Sequence, residues 1–219
     1  MELYDVMRTT AAVRRFTDDP LPDEVIERIL DNARFAPSGG NRQGVRVIVV
    51  RDRQTREVLV ELSVTGARRY SAQTRNGEGP WNPLQPMQVS DEELAATEVP
   101  PYLGAPLLGA GAVLVVCVDL NVVAAFDQYL DRIGVIPGAS VYPFVWNILL
   151  AARNEGYGGV LTTMAVAEEP RVKELLGIPD DYAIAALLPI GKPVKQVTKL
   201  TRKPVAEIAT KERFDGEPL

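Results

Sequence analysis

Ala36-Pro37-Ser38-Gly39-Gly40-Asn41-Arg42-Gln43 joins a helical pattern to a strand pattern, Val45-Arg46-Val47-Ile48-Val49-Val50. Residues 22–34 before it place apolar side chains at helical spacing, which predicts an amphipathic helix. Glycines in such a turn let the main chain approach a ligand closely, and the Ser, Asn and Gln side chains can donate and accept hydrogen bonds. The same residue types are also usual in ordinary turns. A binding role for this loop therefore depends on the rest of the chain.

The composition predicts one enzyme-sized domain spanning residues 1–219. The chain is 46% hydrophobic, which supports a sizeable core, and its net charge is −5. This acidic balance argues against nucleic acid or an anionic membrane as a partner, because both need a basic face. No apolar run approaches the roughly 20 residues of a membrane span, and the first residues lack the apolar core of a signal peptide. We therefore expect a cytoplasmic protein.

Two features of the composition limit the possible chemistry. The chain has no histidine and a single cysteine, Cys117, which lies in an apolar run at residues 112–118. Ser-His-Asp catalysis, Cys-His catalysis and zinc sites built from His and Cys are therefore excluded, and we expect no metal site. In that run Cys117 is expected to be a buried small side chain. Catalysis then has to use a cofactor, or carboxylates, Lys, Tyr and hydroxyl groups.

The rest of the chain alternates helical and strand patterns. The run at 112–118 is typical of a strand buried on both faces. Residues 141–154 are apolar almost all round, as in a helix at the centre of a core or of a subunit interface. Further helices are predicted from Asp52 to about residue 69 and at 170–176, and a strand is predicted at 182–190.

Residues 71–106 interrupt this alternation and contain six prolines. A long irregular segment inside a compact domain is usually a functional lid or a disordered stretch. The large side chains of Trp81, Met87 and Tyr102 favour a lid. We expect these three residues to contact a flat substrate.

Two basic clusters stand out in this acidic chain, Arg14-Arg15 and residues 199–203. Guanidinium groups suit phosphate because their planar fork makes bidentate, charge-assisted hydrogen bonds. Most such clusters are solvated surface charge, so both interpretations stay open at this point. The chain has no Walker A pattern and no G-x-G-x-x-G after a strand, which argues against a P-loop or Rossmann phosphate site.

Five motifs, in this order along the chain, resemble those of the nitroreductase-like flavoproteins. They are Val13-Arg14-Arg15-Phe16, the loop at 36–43, Gly138-Ala139-Ser140-x-Tyr142-Pro143, Gly158-Gly159-x-x-Thr162-Thr163 and Arg202-Lys203-Pro204-Val205-x-Glu207. The match runs from about Arg8 to the C-terminus, apart from the 71–106 insert. The resemblance implies an α+β sandwich with a central mixed β-sheet flanked by helices. It also implies a homodimer that exchanges its C-terminal tails and holds FMN in two sites at the interface.

The resemblance further implies how the FMN phosphate is held. Arg14 and Arg202 would bind it, with Arg15 and Lys203 as further candidates. The tail after residue 193 would embrace the other subunit.

The flavin ring and ribityl chain would contact three other segments, some of them across the dimer interface. Ser140 would approach the flavin from the partner's central helix. Leu161-Thr162-Thr163 would face the flavin N5 edge, where a backbone or hydroxyl donor stabilises the reduced form. The ring and ribityl chain would be lined by Ser38, Gly39, Asn41 and Gln43.

Four features depart from the family pattern. Thr10-Ala11-Ala12 occupies a turn where relatives commonly carry another arginine. Losing one charge-assisted phosphate contact costs about 1.5–3 kcal/mol unless Arg15 or Lys199 substitutes for it. Gly44-Val45 replaces a common Pro-Trp pair, and Trp146 replaces an amide beneath the flavin. The chain also lacks the histidine that some relatives place near the flavin.

The activity implied by the resemblance is that of an FMN-dependent NAD(P)H oxidoreductase with a ping-pong cycle. NADPH or NADH would deliver hydride and leave before an electron-poor small molecule, such as a nitroaromatic or a quinone, takes its place. Two alternatives stay open. One is another flavin reaction, such as one-electron reductive dehalogenation, with which Thr162 and Thr163 are compatible, or flavin fragmentation. The other is a flavin-binding or sensor protein with little turnover, a possibility raised by the missing arginine at Ala11.

Overall fold

A computed structural model describes all residues, 1–219, and its elements follow the predicted order. The helices are α1 (Leu3–Thr9), α2 (Asp23–Ala33), α3 (Arg53–Arg75), α4 (Asp91–Ala96), α5 (Ala105–Gly109), α6 (Tyr142–Asn154) and α7 (Glu169–Leu176). The strands are β1 (Val45–Val50), β2 (Ala112–Asp119), β3 (Gly158–Gly159) and β4 (Tyr182–Gly191). The bounds of α2, β1, β2, α6, α7 and β4 agree with the predicted ones to within one residue.

The four strands form one sheet in the order β1-β2-β4-β3, in which every pair is antiparallel. β1 is an edge strand and pairs with β2 from Val45 opposite Val118 onward. The predicted α+β class is confirmed. In place of the expected mixed sheet, parallel pairing is confined to an isolated bridge between Ala12 and Gly159.

The central strand β2 separates two apolar cores. Its even-numbered residues from 112 to 118 pack in a core shared with α2 and α6. Its odd-numbered residues from 113 to 117 pack in a core shared with α3 and α7. Both faces of the sheet are therefore covered, as the apolar run predicts. Cys117 belongs to the second core, and its burial raises the pKa of the thiol to about 11, so it packs as an apolar side chain.

The insert is more ordered than the prolines predict. The carboxylate of Asp52 accepts the backbone N–H of Thr55 (2.7 Å) at the start of α3, and this hydrogen bond lowers the pKa of the carboxyl. α3 then continues to Arg75, beyond its predicted end at about residue 69. Ser90 and Glu93 form a capping box that starts α4. Local caps of this kind fold a segment that has no long apolar stripe.

α6 is apolar on both its inner and its outer side. Phe144, Val145 and Ile148 are buried against the first core, whereas Tyr142 and Trp146 on the outer side are nearly half exposed. A 3₁₀ turn (Ile136–Ser140) precedes the helix, which therefore starts at Tyr142 rather than at Val141. No helix in the structure is long and apolar enough to cross a membrane.

The C-terminal tail leaves the body of the protein after a short pairing. The backbone N–H of Val194 donates to the carbonyl of Arg15 (3.0 Å), and the side-chain amide of Gln196 donates to the carbonyl of Thr9 (3.3 Å). Every hydrogen bond and ion pair of residues 198–219 then stays within that segment.

Asp127 organises the loop between β2 and α6. It is 3% exposed, and its Oδ2 accepts the backbone N–H groups of Val135 (2.7 Å) and Ile136 (3.2 Å) and Nη1 of Arg132 (2.8 Å). The hydrogen bond from Val135 is the main cause that lowers the pKa of this carboxyl to about 2. The loop is thereby fixed although side chains such as Phe126 point into solvent.

Asp127→Asn removes the charge and keeps the shape of this side chain. An ionised carboxyl with a depressed folded pKa adds stability above its ordinary pKa of 3.8, and this stability is lost as pH falls toward about 2. We expect the Tm of the wild type to fall more steeply than that of the variant across this window, in thermal melts followed by circular dichroism. Parallel decreases would contradict the role of Asp127.

Candidate functional site

The loop between α2 and β1 is a tight turn built around Ser38. Its Oγ accepts the backbone N–H of Gln43 (3.0 Å), which holds the two ends of the turn together. Gly40, Asn41 and Gln43 have φ angles of 62°, 55° and 51°. This left-handed conformation is free for glycine, tolerated by asparagine and costly for most other side chains. The sharp turn predicted from the sequence is present.

This turn contacts the residues that precede α6. The backbone N–H of Gly39 donates to Oγ of Ser140 (3.1 Å). A Cβ added at Gly39 would lie 3.4 Å from the same Oγ, an ordinary van der Waals distance, so this contact does not itself require glycine. Two predicted cofactor segments that are far apart in the chain are therefore in direct contact.

The α2–β1 groove is a cavity of about 790 Å³ between α2 and the edge strand β1. Asp23, Glu27 and Asp31 recur every four residues on α2 and line one side of the groove. Asp23 pairs with Arg51 (2.6 Å) and Asp31 pairs with Arg34 (2.7 Å), so Glu27 is the carboxylate of the groove that has no ion pair. Arg34 lines the groove as well. Ser38, Gln43 and Ser140 also line it. Its apolar lining consists of Ile26, Leu30, Ala36, Pro37, Val45, Val47, Val49 and Phe144.

A second cavity, the Thr162 cavity, has a volume of about 480 Å³ and lies on the other side of the sheet, beside α3 and α5. It collects predicted cofactor and substrate residues from three distant segments. Its lining residues are Arg14, Tyr70, Tyr102, Leu103, Pro106, Leu107, Val160, Leu161, Thr162, Thr163 and Met164.

The side chains of Arg14, Thr162 and Thr163 in the Thr162 cavity are free to bind a ligand, whereas the main chain of Thr162 is not. The main-chain N–H and carbonyl of Thr162 are both paired with Leu187, at 3.0 and 2.9 Å. The hydroxyls of Thr162 and Thr163 make no hydrogen bond within the chain, and the exposed guanidinium of Arg14 makes no ion pair. Thr10 cannot replace the arginine that relatives carry nearby, because it is 6% exposed and its hydroxyl donates to the carbonyl of Val6 (2.7 Å).

A third cavity, the Trp81 cavity, has a volume of about 470 Å³ and adjoins the second. Tyr70, Thr163 and Met164 line both cavities. The remaining lining residues of the Trp81 cavity are Gly66, Pro80, Trp81, Val166 and Ala167.

Trp81 is held in an unusual conformation. Its φ is 55°, in the left-handed region that bulky residues avoid. Its backbone N–H donates to Oε1 of Gln73 (2.9 Å), and its indole N–H donates to the carbonyl of Gly66 (3.2 Å). The guanidinium of Arg69 lies 4.0 Å from the centroid of the indole ring. These two hydrogen bonds and the contact with Arg69 determine where the side chain lies.

Gln73 is the centre of this arrangement and is 1% exposed. Its Oε1 also accepts Nε of Arg69 (3.2 Å), and its Nε2 donates to Glu78 (2.9 Å). The Glu78 carboxylate in turn accepts the backbone N–H groups of Gln88 and Val89, which ties the first half of the insert to α3.

The structure does not bring every predicted site residue to these cavities. The predicted residues that line none of the three are Arg15, Gly39, Asn41, Met87, Arg202 and Lys203. Arg202 is exposed in the tail and donates to the carbonyl of Thr201, its own neighbour in sequence.

Sequence reasoning missed Tyr70 and Gln73. Both lie in the last turns of α3, beyond the predicted helix end at about residue 69, and Gln73 falls in the stretch that the prediction assigned to the irregular insert. A continuous helical pattern through residue 75 was the available signal. It was obscured because the outward residues there are mostly polar or charged.

The fold and its cavities describe an α+β protein with small-molecule cavities on both sides of one sheet. Residues 7–192 match the sequence model of the nitroreductase family. The chain therefore belongs to the nitroreductase family, which confirms the predicted resemblance.

Individual relatives are similar along most of this chain. The iodotyrosine deiodinase of Nematostella vectensis is 30% identical over 213 residues, which span 94% of this chain and 74% of that protein. The NADH dehydrogenase of Thermus thermophilus is 27% identical over 197 residues, 90% of this chain and 89% of that protein. A crystal structure of oxidised iodotyrosine deiodinase bound to FMN and 3-iodo-L-tyrosine superposes with a TM-score of 0.69 at 23% identity, covering 97% of this chain and all of that one.

Gln73→Met keeps the volume of this buried side chain and removes its hydrogen bonds. The N–H of Trp81 and the carboxylate of Glu78 each lose a partner, so we expect unfolding to require about 1–3 kcal/mol less free energy. Urea titration followed by circular dichroism measures this. The adjacent exposed Thr74→Ala is the control and should shift stability by less than about 0.5 kcal/mol. Equal effects of the two substitutions would contradict the role of Gln73.

Proposed function

We propose that this protein is an FMN-dependent NAD(P)H oxidoreductase that reduces electron-poor aromatic or quinone acceptors in a ping-pong cycle. The observation that carries the proposal is the Thr162 cavity. There an unpaired arginine and two free hydroxyls line a largely apolar space, a combination suited to a planar cofactor that bears a phosphate. The relative whose structure contains FMN and the relative named as an NADH dehydrogenase support the choice of cofactor and of reductant.

Arg14 is the residue of this chain best placed to bind the phosphate. With Thr10 buried, the charge balance at the phosphate falls on Arg14 and on its neighbour Arg15. Arg202 would contribute after the tail has moved to a partner subunit.

Thr162 and Thr163 would act through their hydroxyls at the reacting edge of the cofactor. The main-chain N–H of Thr162 is already engaged in the sheet, which leaves the side chain as its available donor. When bound, FMN supplies hydride transfer between nicotinamide and acceptor. The overall reaction balances: NAD(P)H loses a hydride, and a quinone gains two electrons and two protons, one of them from solvent.

A second copy of the chain would complete the site. Ser38, Gly39 and Ser140 lie with α2 and α6 on one side of the sheet, whereas Arg14 and Thr162 line a cavity beside α3 and α5. Because the filled core lies between them, one chain cannot place both groups around one flavin. Two copies facing each other can do so, and the exposed apolar side of α6 offers a surface for that contact.

The tail of the second copy is our proposed occupant of the α2–β1 groove. The groove combines an apolar floor, a free strand edge and the carboxylate of Glu27, which has no ion pair within the chain. The tail combines basic residues at 195–203 with the exposed apolar side chains of Val205 and Ile208. An extended basic segment that adds to a sheet edge satisfies both surfaces.

Reductive deiodination is a second candidate function, because the iodotyrosine deiodinase of Nematostella vectensis is 30% identical to this chain. In that reaction a carbon–iodine bond breaks, iodide leaves, and a proton plus two electrons from the reductant replace it. Iodide release from 3-iodotyrosine at a rate above that of nitroaromatic reduction would favour this candidate. Measurable oxidation of NAD(P)H with either acceptor would argue against a sensor with little turnover.

The first test of the cofactor is the visible spectrum of the purified protein. We expect a flavin absorption band at about 450 nm, which NADH or NADPH bleaches under anaerobic conditions. A protein that stays colourless after addition of FMN would overturn the proposal.

Arg14→Ala should then weaken FMN binding about tenfold or more, because one charge-assisted phosphate contact is lost. Titration of the apoprotein with FMN, followed by flavin fluorescence, measures the Kd. Arg53→Ala is the control, since Arg53 is exposed and pairs with Glu57 on the same helix. If Arg202→Ala leaves the Kd unchanged, Arg202 does not bind the phosphate. The assignment of Arg14 does not depend on that result.

Deletion of residues 198–219 tests the tail exchange. We expect the full chain to elute as a dimer in size-exclusion chromatography with light scattering, and the truncated chain to shift toward monomer and bind less FMN. Val194 and Gln196 stay in place, so the contacts of the tail with its own body are kept. A truncated chain that remains a dimer with full FMN content would contradict this arrangement.

A further inference from the structure

We propose that the Trp81 cavity is a second binding subsite, which takes an uncharged, flat aromatic portion of the electron acceptor while its reducible group lies against the cofactor held at the Thr162 cavity. This inference rests on the proposed function and adds to it the substrate class. Acceptors with a second ring, carried beyond the reducible group, would be preferred over acceptors with one ring.

The two cavities adjoin and share three lining residues. Tyr70, Thr163 and Met164 line both, and Tyr70 is 42% exposed. Thr163 therefore belongs at once to the reacting cavity and to the second subsite. In the proposed binding mode, a ligand that reacts beside Thr162 extends past Tyr70 into the Trp81 cavity.

The chemistry of the lining selects the ligand. No charged side chain lines the Trp81 cavity, in contrast to the Thr162 cavity with Arg14. Its wall contains two aromatic rings and Pro80. A volume of about 470 Å³ is enough for an aromatic ring, and a ring stacked on Trp81 gains apolar burial together with an offset or edge contact.

The conformation of Trp81 is the second, independent observation. A bulky residue with φ of 55° is strained and persists only where its surroundings impose this conformation. The buried Gln73, the carbonyl of Gly66 and the guanidinium of Arg69 impose it here. With Arg69 stacked on the ring, the indole still contributes to the cavity wall. The insert is thus fixed so that a rigid aromatic surface faces the space next to the reacting cavity.

A matched pair of acceptors tests the subsite in the FMN-loaded enzyme. Methyl 4-nitrobenzoate and benzyl 4-nitrobenzoate share the reducible group and differ in the second ring. We expect a lower KM for the benzyl ester in the wild type. Trp81→Ala should raise that KM about tenfold or more, and change the KM for the methyl ester less than about twofold with kcat preserved. Equal loss for both esters would overturn the proposal.

Two further variants separate binding from folding. Trp81→Gly removes the ring, as Trp81→Ala does, but also relieves the positive φ, so it should be at least as stable as Trp81→Ala while it loses the preference for the benzyl ester. Retention of the preference in this variant would overturn the proposal. Leu84→Ala changes an exposed side chain of the same insert and should leave both KM values unchanged.

Direct binding keeps this inference separate from the proposed activity. Trp81 and Trp146 are the two tryptophans of the chain, so Trp146→Phe leaves Trp81 as sole reporter. Saturable quenching of its fluorescence by the benzyl ester, tighter than by the methyl ester, supports the subsite even in a protein without turnover. Equal or non-saturable quenching by the two esters overturns it. If the protein turns over neither ester but the benzyl ester still quenches more tightly than the methyl ester, the proposed function is overturned and the subsite is supported.

Discussion

Burial of β2 on both faces is the constraint on which the rest of the structure depends. Alternate side chains of this strand enter two different cores, so α2 and α6 must lie on one side of the sheet and α3 and α7 on the other. The loops that carry the polar residues follow from this arrangement. The turn at Ser38 and the segment at Ser140 meet on one side, and Arg14 and Thr162 line a cavity on the other.

This division explains why the residues that resemble a flavin site do not converge within one chain. A ligand cannot pass through a packed core from one face of a sheet to the other, so we propose that a second subunit unites the two halves. The surfaces that remain apolar and exposed, on α6 and in the tail, are consistent with such a partner. The hydrogen bonds and ion pairs of residues 198–219, which all stay within the segment, leave that part of the chain free to dock elsewhere.

A buried polar network holds the insert in place. The buried amide of Gln73, the carboxylate of Glu78 and the guanidinium of Arg69 together hold Trp81 in a backbone conformation that it would not adopt alone. A buried polar network lowers the stability of the fold when some of its groups lack hydrogen bonds, and it makes the fold rigid when all of them are paired. In this chain the network stabilises the wall of a cavity, which accounts for an ordered insert where prolines alone indicated an irregular one.

The sequence by itself determined the elements whose signals are local. The stripe of α2, the alternation and length of β1, the doubly buried β2 and the turn at 38–43 depend on side-chain periodicity and on glycine, so their bounds and the family could be predicted. Five of the eleven residues that line the Thr162 cavity were also predicted as site residues: Arg14, Tyr102, Leu161, Thr162 and Thr163. Tyr70 and Gln73 were not, since their roles depend on partners such as Trp81 and Thr163 that the chain brings near only on folding. Which halves of the site lie on which side of the sheet, and which cavities adjoin, was decided by tertiary packing alone, because contacts between distant residues have no period along the chain.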